Sequence, residues 1–347
     1  MRLRRGRRAI LFSLMTILLG GFFILLFWGM NAPRLDTTSS AVETRVSVMN
    51  NHLTMWDAYI RDAAMITTRG ALLGITKNLT GNTVPMQVAD IAGNISSCLS
   101  TGQADLGGGR FNCAPDNTNS SLPAKLDAFI ALTQEALNIN TTYALSDDIS
   151  VTDWAPFELR VSFGVNYTVQ DSAPPLFAKW NRSKRYDVVV SVEGLPDPAF
   201  NRYGTQFMNS PFTRRNITRY AVPRDLMSKE NISDMVARRE YTEDRELAPT
   251  YLERLAGIIT PPFDPASSSG IETLLRPSET KVDQSIYMNV SFTDQQVFMQ
   301  LGQSIQFACP NKTIRVKGGV PFDTLYLDVR HWARYNQNAS QFNYTCG

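Results

Sequence analysis

Histidine is nearly absent from this 347-residue chain: His52 and His331 are the only two. They fall on separate predicted elements, so a histidine-built metal site or a Ser-His-Asp triad has little to work with. His52 is expected as a partly exposed helix residue and His331 as a hydrogen-bonded structural one. Cysteine is scarce too, with Cys98, Cys113, Cys309 and Cys346 and no C-x-x-C pair, which removes the usual zinc and redox-dithiol patterns. Other signatures of chemistry are incomplete. Gly107-Gly108-Gly109-Arg110 lacks the Lys-Ser/Thr of a phosphate-binding loop. The run Asp147-Asp148-Ile149-Ser150-Val151-Thr152-Asp153 lacks the spacing and glycine of an EF-hand and reads as a solvated turn. Glu243-Asp244 pairs two carboxylates, but nothing in their spacing draws them into a pocket. No catalytic, cofactor-binding or metal-ligating residue is therefore assigned, and the chain is not expected to be an enzyme; an ectoenzyme acting on surface polymers is the alternative that the scarcity of histidine disfavours.

Charge of one sign is missing as well. The net charge is +2, from 34 basic and 32 acidic residues. Setting aside five arginines at the start leaves 29 basic residues against the 32 acidic, a balance that argues against a nucleic-acid surface. Those five arginines, Arg2, Arg4, Arg5, Arg7 and Arg8, precede the chain's one long uncharged apolar run, Ala9 to Met30. At about 1.5 Å per helical residue, this run reaches roughly 33 Å, the thickness of a bilayer's hydrocarbon. Arginine clusters beside a short segment resist translocation. The expected order is a cytoplasmic tail (1–8), a transmembrane helix (9–30) retained as a signal-anchor in the cell membrane, and an extracellular remainder. A cleaved secretory signal fits the span less well, because the run exceeds the usual apolar core and no small-x-small site follows directly. A prepilin-type leader cut after Gly6 would begin Arg7-Arg8 and place Leu11, not Glu, fifth.

Asn-x-Ser/Thr triplets give an independent reading of the compartment. They begin at Asn78, Asn94, Asn119, Asn140, Asn166, Asn181, Asn216, Asn231, Asn289, Asn311, Asn338 and Asn343. Chance supplies about three or four in such a composition, so the excess points to N-linked glycan acceptors outside the cell. All of them lie beyond the apolar run. An oxidising exterior also lets the cysteines pair. Of the three connectivities, Cys98 with Cys113 and Cys309 with Cys346 are the favoured ones, the first closing a Gly- and Asn-rich loop and the second tying down the C-terminus.

The pattern predicts an α+β fold: one transmembrane helix, a long amphipathic stalk helix (36–80), a helical region with a disulfide loop (81–140) and a β-rich glycosylated ectodomain (141–347). Val42, Val46, Met49, Leu53, Trp56, Ile60, Ala63 and Thr67 recur at alternating spacings of four and three, a heptad-like stripe. The stripe is expected to pack lengthwise on its own domain rather than form a coiled-coil or filament seam between copies, because no regular flanking charge code accompanies it. Gly70 and Gly74 weaken the helix toward its end. Short helices are expected over Gln87–Leu99, from Pro123 to Asn138 with Ser121 as cap, and over Pro249–Gly257. From Tyr143 the period changes to two: Leu159, Val161, Phe163, Val165, Tyr167 and Val169 alternate with polar residues, which puts Asn166 on the wet face. Tyr186, Val188, Val190 and Val192 form a partner strand after a connection containing Pro174, Pro175 and Trp180. Arg214 to Glu246 reads as an exposed, partly helical excursion. Further strands are expected over Ile286–Phe292, Ile305–Ala308, Thr313–Lys317 and Thr324–Leu327, then a helical turn over Asp328–Tyr335. Trp56, Trp154, Trp180 and Trp332 are expected in the core rather than on a sugar-stacking platform.

Several short segments carry a resemblance. The basic-tailed span, Glu43-Thr44-Arg45 leading into Met49-Asn50-Asn51, Val192-Glu193-Gly194-Leu195-Pro196-Asp197-Pro198, Gly270-Ile271-Glu272, and Leu327-Asp328-Val329-Arg330-His331 with Tyr335-Asn336 resemble a family of uncharacterised archaeal membrane-anchored surface proteins. The resemblance implies an envelope glycoprotein, with the bilayer and its glycans as partners. It brings no activity, cofactor or catalytic residue. The N-terminal helices also resemble those of pilin-like subunits, which implies self-association through the stalk.

Overall fold

The first element, α1, is a 43-residue helix over Ser39–Gly81, about 65 Å long. Its buried side follows the sequence stripe: Met49, Leu53, Trp56, Ile60, Ala63 and Thr67 are almost solvent-free, and Leu72, Ile75 and Leu79 extend it. Val42 and Val46, at the start of the stripe, remain partly exposed. The polar members turn inward without orphaned hydroxyls, because Thr67, Thr68 and Thr76 each donate to a carbonyl four residues back. Gly74 has a packing role. A Cβ placed there would lie 1.7 Å from the Cys113 carbonyl oxygen, so only glycine lets the helix approach that loop.

The computed structural model describes residues 39–81, 88–114, 121–172, 178–198, 216–222, 231, 234–235, 238–243, 248–257, 270–272, 314–316, 324–325 and 344–346. After α1 come α2 (Ile91–Thr101), a hairpin of β1 (Gln103–Asp105) and β2 (Arg110–Asn112), and α3 (Leu122–Leu137). Both helices are capped as their sequences dictate: Asp90 accepts from Gly93 N, and Ser121 accepts from Ala124 N with Pro123 in the first turn. Cys98 and Cys113 are disulfide-bonded, with Cα atoms 5.7 Å apart, and fasten α2 to the end of β2. The Cys309–Cys346 pairing lies outside the described residues, as do Ile286–Phe292, Ile305–Ala308, Asp328–Tyr335 and the apolar segment 9–30. No helix among the described residues is long and apolar enough to cross a membrane.

The main sheet is antiparallel: β3 (Ile139–Leu145), β4 (Ser150–Ala155), β5 (Glu158–Asp171) and β6 (Lys179–Ser191). Strand β5 is its spine. Strands β3 and β4 follow one another along one edge, Ile139↔Asp171 through Leu145↔Val165 and then Ser150↔Ser162 through Ala155↔Glu158. Strand β6 covers the other edge from Gln170↔Lys179 to Glu158↔Ser191. The alternation holds: Leu159, Val161, Phe163, Val165, Tyr167 and Val169 are buried, facing α1. Strand β6 begins seven residues earlier than its apolar pattern, because Lys179–Arg185 pairs fully with β5 although its side chains other than Trp180 are polar. Trp180 thus belongs to a strand and not to the connection.

Two arginines 24 residues apart on α1 hold the helix along β5. Arg45 makes a bidentate contact with buried Asp171, at 2.9 and 2.8 Å. Arg69 donates to the carbonyls of Ser191 and Glu193 at the other end. The helix rise between them, about 36 Å, approaches the roughly 43 Å of the paired strand. One continuous core joins α1, α2, α3 and the sheet. The fold is thus α+β, built from helices and antiparallel sheets.

Among the described residues between Arg214 and Glu246, the expected exposed, partly helical excursion holds only in part. Ile217, Met235 and Tyr241 are fully buried, Ile217 N donates to Leu195 O, and β7 (Thr242–Glu243) pairs with β8 (Ile271–Glu272). Its charges sit between isolated apolar residues with no regular period, so the inward-facing ones are invisible to a periodicity argument. Helix α4 (Tyr251–Ala256) starts with a reciprocal capping box between Thr250 and Glu253. A small antiparallel sheet has β9 (Ile314–Val316) between β10 (Thr324–Leu325) and β11 (Tyr344–Cys346).

Candidate glycan-bearing sheet face

The residues of β5 that alternate with its core set form the outer face of the sheet. Cross-strand register fixes their neighbours. Asn140 lies opposite Gln170, Thr142 opposite Thr168 and Ala144 opposite Asn166. On the other side Asn166 faces Ser183, and Thr168 faces Asn181. Three triplets, Asn140-Thr141-Thr142, Asn166-Tyr167-Thr168 and Asn181-Arg182-Ser183, therefore converge on one end of one face, although the first and last are 41 residues apart. Asn166 and Asn181 are exposed, and Asn140 is half-buried. An open depression of about 590 Å³ lies here, with Thr142, Asn166, Thr168, Asn181 and Ser183 among its lining.

The two exposed triplets are interlocked. Each acceptor asparagine stands opposite the hydroxyl residue of the other triplet, and Thr168 Oγ1 donates to Asn181 Oδ1 at 2.9 Å. Elsewhere on this face Ser162 bonds Asp187 across the strands, while Arg185 and Lys179 stand opposite Gly164 and Gln170. Acceptors elsewhere differ. Asn216 is exposed, while Asn78, Asn94 and Asn231 are half-buried. Asn94 acts as a bracket: its Nδ2 donates to Asp90 O and its Oδ1 accepts from Asp105 N, both about 3 Å away, so the side chain joins the helix cap to β1. Asn119, Asn289, Asn311, Asn338 and Asn343 lie outside the described residues.

Toward the opposite end the outer face is less polar. Trp154 is 51% exposed, at a bulge in β4, and the Arg160 guanidinium stacks 3.0 Å from its ring centroid. This corrects the core expectation for Trp154. Trp56 is completely buried among Phe129, Tyr143 and Tyr167, Trp180 packs partly against the core, and Trp332 is outside the described residues.

Behind this face, polar groups are used for assembly. Asp57 of α1 accepts hydrogen bonds from Tyr167, Tyr186 and Lys184. Burial pulls its carboxyl upward, but those donors outweigh burial and hold it below the ordinary carboxylate value. Asp197, in the Gly194-to-Pro198 turn, is fully buried, accepting from Arg254 Nη1 and the Tyr241 hydroxyl, each at 2.9 Å. Arg254 also donates to Ile271 O, so one ion pair ties α4 to the turn and to β8. The turn residues were legible as a turn; no signal in sequence identified Arg254 as the partner.

His52 is 1% exposed, not partly exposed as expected, and its Nε2 lies 3.0 Å from Thr141 Oγ1. Burial lowers its pKa, which favours the neutral ring. His331 lies outside the described residues. The run from Asp147 to Asp153 is only in part a solvated turn, since Ser150 onward forms β4 and Asp153 faces the start of α4. Burial raises the Asp153 carboxyl to about 6, Glu253 adding to the rise while a Thr250 hydrogen bond opposes it. Asp105 caps the glycine turn of the β1–β2 hairpin, accepting from Gly107 N and Gly109 N. Among the described residues, no group of three or more His, Cys, Asp or Glu side chains is placed to hold a metal ion. No family model, curated protein or solved structure matches this chain.

Proposed function

We propose that the chain is a membrane-anchored, N-glycosylated cell-surface protein with a structural or interaction role, non-catalytic, in an archaeal envelope. The observation that supports it most is the outer sheet face. Three acceptor triplets from three strands share it, and two of their asparagines are exposed to solvent, as a surface that carries sugar requires. The basic tail and the apolar run Ala9–Met30 support a single-pass anchor with the N-terminus cytoplasmic and everything after Met30 outside. The archaeal assignment rests on the resemblance of the short motifs.

Glycopeptide mass spectrometry on protein from its native membranes tests this. Sugar on Asn166 or Asn181, together with digestion of the ectodomain by protease added to intact cells, is the expected result. Unmodified asparagines at all three face positions, or an ectodomain protected in intact cells, would overturn the reading. A second reading, a pilin-like subunit assembled through its N-terminal helices, is favoured by the length of α1 and its proximity in sequence to the apolar run. Fibres sedimenting from sheared cells and containing this chain would support it.

A further inference from the structure

The depression on the outer sheet face is arranged around one of its acceptors more than the others. The residues directly opposite Asn166 are small on both sides, Ala144 on β3 and Ser183 on β6, and all three are exposed. The Asn166 amide makes no hydrogen bond among the described residues, whereas Asn181 accepts one from Thr168. Asn140 is half-buried, stands opposite Gln170 and does not line the depression. A volume of about 590 Å³ lies in the range of sites that hold a small organic molecule, so there is room beside Asn166 for the first sugars to lie against the sheet.

Strand register sets the two exposed acceptors against each other. Ser183, the hydroxyl that completes the Asn181 triplet, lies directly opposite Asn166, and Thr168, which completes the Asn166 triplet, lies directly opposite Asn181. Directly opposed residues of antiparallel strands have Cβ atoms about 5 Å apart, and diagonal pairs such as Asn166 and Asn181 about 7 Å. Sugar on either asparagine therefore covers the hydroxyl that marks the other as an acceptor. We propose that the depression is a single glycan seat, filled by sugar on Asn166, and that a chain modified there carries none on Asn181. The proposal rests on the glycoprotein reading above. Each transfer joins the asparagine Nδ2 to the anomeric carbon of a phosphate-activated sugar, breaks that carbon's bond to phosphate, and releases the phosphate and one amide proton. The exclusion holds whichever comes first, modification or folding. Once the strands are paired, the first sugar screens the second hydroxyl. Before they pair, two modifications would bring two sugars into one depression and oppose the pairing of β5 with β6, so such chains are absent from the folded protein.

Both acceptors can be read on one peptide, because Glu158 and Glu193 are the nearest glutamates on either side of them. Cleavage after glutamate of the full chain, purified folded from its native membranes, releases Leu159–Glu193 intact, and the mass of that peptide counts the glycans on each molecule. One glycan, on Asn166, is the expected result. In Asn166→Gln the glycan should move to Asn181, which changes from bare to the main modified position. Thr168→Val, which abolishes the same acceptor and keeps a β-branched side chain in the strand, should give the same transfer, and Asn181→Gln should leave the Asn166 glycan unchanged. A peptide with two glycans overturns the exclusion and keeps the glycoprotein reading. So does a parent modified on Asn181 alone, which overturns the seat, or an Asn181 that stays bare in both Asn166→Gln and Thr168→Val, which shows that something other than Asn166 keeps it bare. A parent peptide without sugar overturns the proposal, and a chain whose other acceptors are bare as well overturns the glycoprotein reading with it.

Discussion

Replacing Leu53 by aspartate should unfold the ectodomain, whereas the same change at Ile66, on the same helix, should not. Leu53 is 3% exposed on the side of α1 that meets the core, and Ile66 is 57% exposed. Loss of a buried leucine removes about 2 kcal/mol of apolar burial. A carboxylate in its place adds several kcal/mol, either as desolvation or as the work of holding the group protonated. The sum, roughly 5 kcal/mol or more, is comparable with the whole stability of a typical domain. At Ile66 the side chain already meets solvent, so Ile66→Asp should change stability by no more than about 0.5 kcal/mol. Thermal and urea melts of the two variants beside the parent measure both effects. Acid provides an internal check, since protonating the new carboxyl should partly restore Leu53→Asp toward pH 4 and leave Ile66→Asp unmoved. A Leu53→Asp protein that melts within about 1 kcal/mol of the parent would refute the packing of α1 against the sheet.

Gly74→Ala should lower stability despite alanine's better helix propensity, because the new methyl meets the Cys113 carbonyl; Gly70→Ala, with open space, should raise it by up to about 1 kcal/mol, and differential calorimetry of the pair reads the contrast. Asp153 gives a pH dependence of determined sign. Its carboxyl is raised to about 6 in the fold, above the ordinary 3.8, so its favourable contribution is fully present below the unfolded value and is lost as pH rises through 6. Asp153→Asn should therefore stabilise the protein at pH 7, by up to about 3 kcal/mol from the size of the shift, and flatten the stability slope between pH 4 and pH 6 in urea titrations.

Much of the architecture was written locally. The alternation from Leu159 to Val169 determines a half-buried strand because successive side chains in a strand point to opposite faces, and all six apolar members are buried, with Ser162 of the outer face the one polar member between them that is covered as well. The stripe on α1, the Ser121 cap and the Cys98–Cys113 loop were legible for the same reason, each depending on neighbours a few positions away. Tertiary structure decided whatever depends on partners distant in the chain. The polar start of β6 is a strand only because β5 supplies its hydrogen bonds, and Ile217 and Tyr241 are core residues only because the turn at Asp197 and helix α4 close over them. His52 is buried because Thr141, 89 residues away, offers its ring a hydrogen bond inside the core. Each triplet was readable as a possible acceptor from three residues, but their meeting on one face came from strand register, which no single segment contains. Likewise the apolar residues on both sides of α1 look alike in sequence, and only the position of the sheet distinguishes the side it covers from the side left open.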